Sequence, residues 1–323
     1  MKRPLMLKGD GLKTALAAVL AVSLMLAPAV SGQDDDPIKM RTELVTVDVT
    51  LTDKNGNFIR NLKAEDFAIY EDGEVRKLDF FEASEEAALT RPLAVVFALD
   101  RSGSIKTEEV SRQLEAAETF IKLVRPESLF AVVAFNTDVR VMQDFTSDPK
   151  KIGQAFRRIG KPEGLTRIFA TIDRSISMLK RAPRFRGNRR LRRVVIVISD
   201  GYDSVDPVDQ RDLIQRANDA EVTVYSITLP SYMAGTAGQR SLTLLDVARI
   251  VPLTGGADFS ADARDFTPVF KAIAEEIRSS YTLAFYPPEK HRRDGRTHKI
   301  LIGVNHPAPI IVRASRTSYQ SPK

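Results

Sequence analysis

Val45, Val47, Val49 and Leu51 alternate with Thr46, Asp48, Thr50 and Thr52, the two-residue period of a half-buried strand. A turn at Asn55-Gly56 follows. A hairpin is then predicted from Phe67-Ala-Ile-Tyr, the Asp72-Gly73 turn and the run Val75 to Phe81. From Pro92 the pattern changes to short continuous apolar runs, Leu93 to Leu99, Leu129 to Phe135, Val194 to Ile198 and Val222 to Ile227, which read as strands buried on both faces. Stretches of helical spacing separate or follow them: Glu108 to Leu123, Ile168 to Leu179, Val208 to Ala220, Leu242 to Ile250 and Phe266 to Ile277. Beyond Ser280 strands return at Tyr281 to Tyr286, Ile300 to Val304 and Ile310 to Val312.

The predicted fold class is α/β: a doubly wound, mostly parallel sheet inserted in a small β-sandwich that the N- and C-terminal flanks build together, because neither flank can close a sandwich alone. The expected organisation is a signal peptide over 1–31, an acidic linker over 32–40, the first part of the sandwich over 41–88, the α/β domain over 89–280, the second part of the sandwich over 281–315 and a tail over 316–323. The signal reading rests on Lys2, Arg3, Lys8 and Lys13 ahead of the apolar run Ala15 to Leu26, with small residues around Ala27-Pro28-Ala29. It implies export to the periplasm or beyond. An uncleaved anchor in the inner membrane is the lesser alternative, since the apolar run is short for a spanning helix. No stable membrane span is expected after cleavage.

Composition narrows the chemistry. The chain has no cysteine, which excludes disulfides, thiolate metal sites and a cysteine nucleophile together. Its formal charge of +6 falls to +3 without residues 1–31, which hold four basic residues and one acid. That balance identifies no partner, and export argues against nucleic acid. Basic residues are dense from Lys180 to Arg193, read here as a solvated loop before a strand.

In open α/β sheets ligands gather at the carboxyl ends of the strands. Two apolar runs end there in aspartate: Asp100, continued by Arg101-Ser102-Gly103-Ser104, and Asp200, continued by Gly201-Tyr202-Asp203-Ser204. A third loop, Gly164-Leu165-Thr166-Arg167, adds a hydroxyl ahead of a helix. Carboxylates and hydroxyls without imidazole or thiolate suit a hard cation such as Mg²⁺ or Mn²⁺. Gly103 is expected to let the first loop turn tightly.

The motif Asp-x-Ser-Gly-Ser, then Thr, then Asp-Gly after a buried strand resembles the metal-dependent adhesion site of the von Willebrand factor A domain, with all five positions present as Asp100, Ser102, Ser104, Thr166 and Asp200. The flanks, Val45 to Gly56, Leu62 to Gly73, Tyr281 to Pro287 and His298-Lys-Ile, resemble the von Willebrand factor A-related family abundant in acidobacteria. The resemblance implies Ser102 and Ser104 as direct ligands of Mg²⁺, Mn²⁺ or Ca²⁺, and Thr166 as a direct or water-mediated one. It implies Asp100 and Asp200 as holders of metal-bound waters. It also implies a coordination position left for a carboxylate of a protein partner, hence binding and no enzymatic activity. Leu165 where a second glycine is common, Arg167 after the threonine and Arg101 inside the first loop depart from the pattern. If they face the cation, the arginines would weaken its binding or clamp an acidic ligand beside it.

Two other functions compete. A metal-assisted phosphatase could use Asp100 as phosphate acceptor, although Ser102 stands where such enzymes carry a second carboxylate. A structural envelope subunit could carry a vestigial site. A Ser-His-Asp hydrolase is disfavoured, because no Gly-x-Ser-x-Gly elbow occurs and His291, His298 and His306 all fall in the C-terminal strand segment, where they are expected as exposed turn and strand residues.

Overall fold

The computed structural model describes residues 44–83, 91–200, 208–229, 243–261 and 264–323. The signal peptide, the acidic linker and Asp203 lie outside the described residues.

The N-terminal flank supplies β1 (Val45–Thr52), β2 (Phe67–Glu71), β3 (Glu74–Arg76) and β4 (Phe80–Glu82). The α/β region follows with β5 (Leu93–Asp100), α1 (Thr107–Leu123), β6 (Leu129–Phe135), β7 (Val139–Thr146), α2 (Pro149–Arg157), α3 (Ile168–Arg181), β8 (Phe185–Arg186), β9 (Arg189–Arg190) and β10 (Arg192–Ser199). It continues through α4 (Gln210–Ala220), β11 (Val222–Thr228), α5 (Thr243–Leu253), β12 (Asp258–Ser260) and α6 (Thr267–Arg278). The C-terminal flank adds β13 (Tyr281–Phe285), β14 (Thr297–Val304), β15 (Ile311–Ala314) and β16 (Ser318–Gln320).

Two antiparallel sheets, ordered β15-β1-β13-β4 and β16-β14-β2-β3, form the sandwich, and each draws strands from both flanks. Val47, Val49 and Leu51 of β1 meet Ile69 of β2, Leu283 and Phe285 of β13 and Ile300 and Ile302 of β14 in one core. The central sheet runs β12-β11-β10-β5-β6-β7, parallel throughout except for β7 at its edge. Alternate side chains of each strand enter opposite cores, as the period of two demands. Val95, Phe97 and Leu99 pack with Phe120 of α1, Phe156 of α2 and Phe270 of α6. Ala94, Val96 and Ala98 pack with Ile172 and Ile176 of α3, Leu213 of α4 and Ile250 of α5. Phe97 is the hub, with the rings of Phe120, Phe130, Phe156 and Phe270 all centred within 6.1 Å of its own.

Several expectations need correction. β1 is buried along all eight residues, not half-buried. Its polar face is covered by the foot of the α/β region, where Arg91 Nη1 donates to Asp48 Oδ1 at 2.5 Å and Arg192 Nε lies 3.5 Å from Asp48 Oδ2. The run Val75 to Phe81 is two strands: β3 pairs with β2, while β4 crosses to pair with β13 in the other sheet. The edge strand β7 and helix α2 were not expected, and the predicted tail contains β16, paired with β14. The basic stretch is not simply a solvated loop. Arg192 and Arg193 are buried in β10, and Arg184 and Arg190 pair with Glu221. His298, expected on the surface, is 3% exposed.

Candidate functional site

β5 and β10 are parallel neighbours in the register Leu99 to Ile198, so their ends deliver Asp100, Ser199 and Asp200 to one edge of the sheet. Asp100 Oδ1 accepts the backbone N–H of Ser102 at 2.7 Å, folding the chain back over the strand end. Asp100 Oδ2 accepts the hydroxyl of Ser199 at 2.6 Å. Ser102 Oγ and Ser104 Oγ stand 3.1 Å apart. The third loop is fastened to the first by Gly103 N–H donating to Gly164 O at 3.2 Å and Glu163 N–H donating to Arg101 O at 2.8 Å. Asn136, buried at the end of β6, donates to Glu163 O at 2.9 Å and holds the loop from below.

These bonds place Asp100, Ser102, Ser104 and Asp200, with the Thr166 loop, at the carboxyl edge; all but the half-buried Ser104 are buried. The tight turn belongs to Gly164, not to Gly103. Gly164 has φ +80°, and a Cβ there would meet Thr137 Oγ1 at 2.6 Å, whereas one on Gly103 would make only an ordinary contact of 3.7 Å. Arg101 does not turn toward the hydroxyls. Its guanidinium donates to Ile159 O at 3.4 Å and lies 3.9 Å from Glu163 Oε1. Leu165 is half exposed, and its N–H donates to Thr137 Oγ1 at 3.1 Å. Arg167 precedes α3, and its buried Nε has no hydrogen-bond partner.

The electrostatics are those of crowded negative charge. Burial pushes the Asp100 carboxyl up to about 6 against the hydrogen bonds from Ser199 and Ser102, and the charge of Asp200 adds to the rise. Both carboxylate oxygens of Asp200 are buried without a hydrogen-bond partner. A buried carboxylate left this way costs several kcal/mol, roughly, unless a cation or donor meets it. A hard divalent cation fits this set: hydroxyls from Ser102 and Ser104, carboxylates from Asp100 and Asp200, and a hydroxyl on the loop carrying Thr166.

Sequence reading passed over two residues. Ser199 lies inside an apolar run, and its bond to Asp100 depends on the neighbouring strand. Glu109, in the first turn of α1, is buried, and its carboxyl is raised by that burial and, to a lesser degree, by the charge of Asp200. A first-turn glutamate reads simply as a helix-dipole partner. Only its burial marks it as a third acid facing the same edge.

Comparison with known proteins agrees with this geometry. Residues 95–202 match the model of the von Willebrand factor type A domain. Among solved structures, a von Willebrand factor type A protein from Catenulispora acidiphila is similar at 13% identity and a TM-score of 0.49, covering 80% of this chain and 74% of that one. An aerotolerance-related membrane protein from Bacteroides fragilis is similar at 17% identity and a TM-score of 0.44, covering 57% of this chain and 98% of that one. At these scores the fold rests on its own strand order and on the domain match.

Proposed function

Because the chain carries a von Willebrand factor type A domain, a family that often mediates protein–protein interaction, we propose that it is an exported protein-binding module. In this reading Asp100, Ser102, Ser104, Thr166 and Asp200 hold a divalent cation, Mg²⁺ first among candidates, and the cation accepts a carboxylate from a protein partner. The observation that carries the reading is the Asp200 carboxylate, buried with no hydrogen-bond partner and near enough to Asp100 to raise its pKa. Two acids crowded in this way gain more from a cation than from any rearrangement of neutral donors. Arg101 supports the reading by its orientation, since its charge is spent on Ile159 O and Glu163. Asp100 suits a positioning role better than that of a phosphate acceptor, because both of its oxygens accept hydrogen bonds, from Ser102 and Ser199. Export rests on the N-terminal segment. Among the described residues no helix is long and apolar enough to cross a membrane.

Millimolar Mg²⁺ should raise the melting temperature through linkage. Asp100→Ala should abolish that rise. Asp200→Asn should abolish it too while leaving the metal-free protein as stable as the wild type or more so, because it removes a buried like charge. A melting curve unmoved by Mg²⁺ in the wild type would remove the basis for metal-mediated adhesion.

A further inference from the structure

Far along the chain from the Asp100 loop, the sandwich gathers a second set of ionisable groups. Glu71, at the end of β2, is fully buried, His298 on β14 is nearly so, and His291 lies in the short turn 289–291 that precedes β14. One potential ligand atom from each of the three lies within 4.8 Å of the other two. His291 Nδ1 stands 3.1 Å from Glu71 Oε2, yet it is buried without a hydrogen-bond partner. Two atoms this close that do not share a proton have lone pairs free to converge on a common third point. Four ligands about 2.0–2.1 Å from a tetrahedral ion lie about 3.3 Å apart, so the Glu71–His291 separation is already that of a ligand pair. The two imidazole rings are stacked, 4.3 Å between centroids, and Tyr319 covers the outer face of His298 at 5.2 Å.

The surroundings match what metal-binding histidines require. His298 Nδ1 is 2.7 Å from Asp72 Oδ2, the carboxylate contact that orients a ligand imidazole and raises its basicity, and His298 Nε2 is 3.2 Å from Asp294. The Glu71 carboxylate is fixed by Arg76 Nε at 2.6 Å and by the Tyr319 hydroxyl. Glu71, Asp72 and Asp294 carry three negative charges against the one positive charge of Arg76, so a dication neutralises the cluster. Imidazole with carboxylate, in a protein without cysteine, selects borderline ions of the Zn²⁺ class over Mg²⁺.

We propose that Glu71, His291 and His298 form a transition-metal site of the Zn²⁺ class in the β-sandwich, separate from the carboxyl-edge site. Bound there, the ion ties β2, the 289–291 turn and β14 together, joining N- and C-terminal flanks at one point. The proposal does not depend on the function assigned to the Asp100 loop.

Untagged protein is stripped with chelator, dialysed, and titrated with Zn²⁺ by calorimetry and with Co²⁺ by visible absorption, in the presence of excess Mg²⁺. The wild type and Asp100→Ala should each take up one equivalent and show the d–d bands of a low-symmetry Co²⁺ site. His291→Ala should bind Zn²⁺ more than about 100-fold more weakly, beyond the loss seen for an outer-shell partner. His291 is on a surface turn, so its variant should fold, and an unchanged metal-free melting temperature verifies this. His298→Gln is the second variant, with the same loss expected. The proposal is overturned if the wild type retains no Zn²⁺, if His291→Ala binds as tightly as wild type, or if Asp100→Ala removes the uptake.

Discussion

Gly164 has φ +80° with Thr137 Oγ1 at 2.6 Å from the place of a Cβ, so no other residue fits without moving the Thr166 loop. Gly164→Ala should cost about 1–3 kcal/mol in urea unfolding. It should also weaken the Mg²⁺ response, because the displaced loop carries Thr166; a variant of wild-type stability and wild-type response would show that the loop is not fastened in this way. The five carboxyl-edge residues were legible one by one, since an aspartate ending an apolar run is a local pattern. Their partners were not. Ser199 reaches Asp100 only because β10 lies beside β5, and Arg101 was ambiguous until the Ile159 carbonyl was seen to take its guanidinium.

Among the elements, β1 shows most clearly what local pattern leaves open. Its alternation predicts one wet face, yet Asp48 is buried on that face between Arg91, Arg192 and Thr282. Burial pushes the Asp48 carboxyl up, but the two guanidiniums and the Thr282 hydroxyl outweigh it and hold the group at about 2, below its ordinary 3.8. A carboxyl depressed by folding stabilises the folded state above its ordinary pKa, and the contribution disappears as pH falls through about 4 toward 2. The lost part is about 2 kcal/mol. Asp48→Asn should therefore lower the melting temperature at pH 7, where it leaves two buried arginines uncompensated, and the gap to wild type should narrow below pH 4. A gap constant from pH 7 to pH 2.5 would contradict this. The other missed elements, β7 and α2, have a similar cause: β7 is an edge strand with little buried side chain, so its apolar signal is weak.

Across the whole molecule, the flanks depend on each other through β1, which pairs with β13 on one side and β15 on the other. A chain ending at Ser280 leaves both edges of β1 without partners and removes β14 from β2. Limited proteolysis of that truncation should cut within residues 44–83 before it cuts the central sheet, whereas the full chain resists at both. Equal resistance in the truncated chain would mean that the N-terminal strands fold alone. The junction is also tied through α6, where Glu276 pairs with Arg313 of β15 at 3.0 Å, so losing the C-terminal flank strips a buried acid of its partner.

By itself the sequence determined the fold class, the order of the main strands and helices, and the residues that end strands with chemistry at the carboxyl edge. Each of these follows from spacing within a few residues, where pleat and helical period act directly. Only the tertiary structure decided which distant segments meet: β1 between β13 and β15, Ser199 beside Asp100, Glu109 facing Asp200, and Glu71 against His291 and His298. These meetings are set by which faces must be buried together and by the closure of long loops between them. Neither leaves a mark on the local pattern of hydrophobic and polar residues.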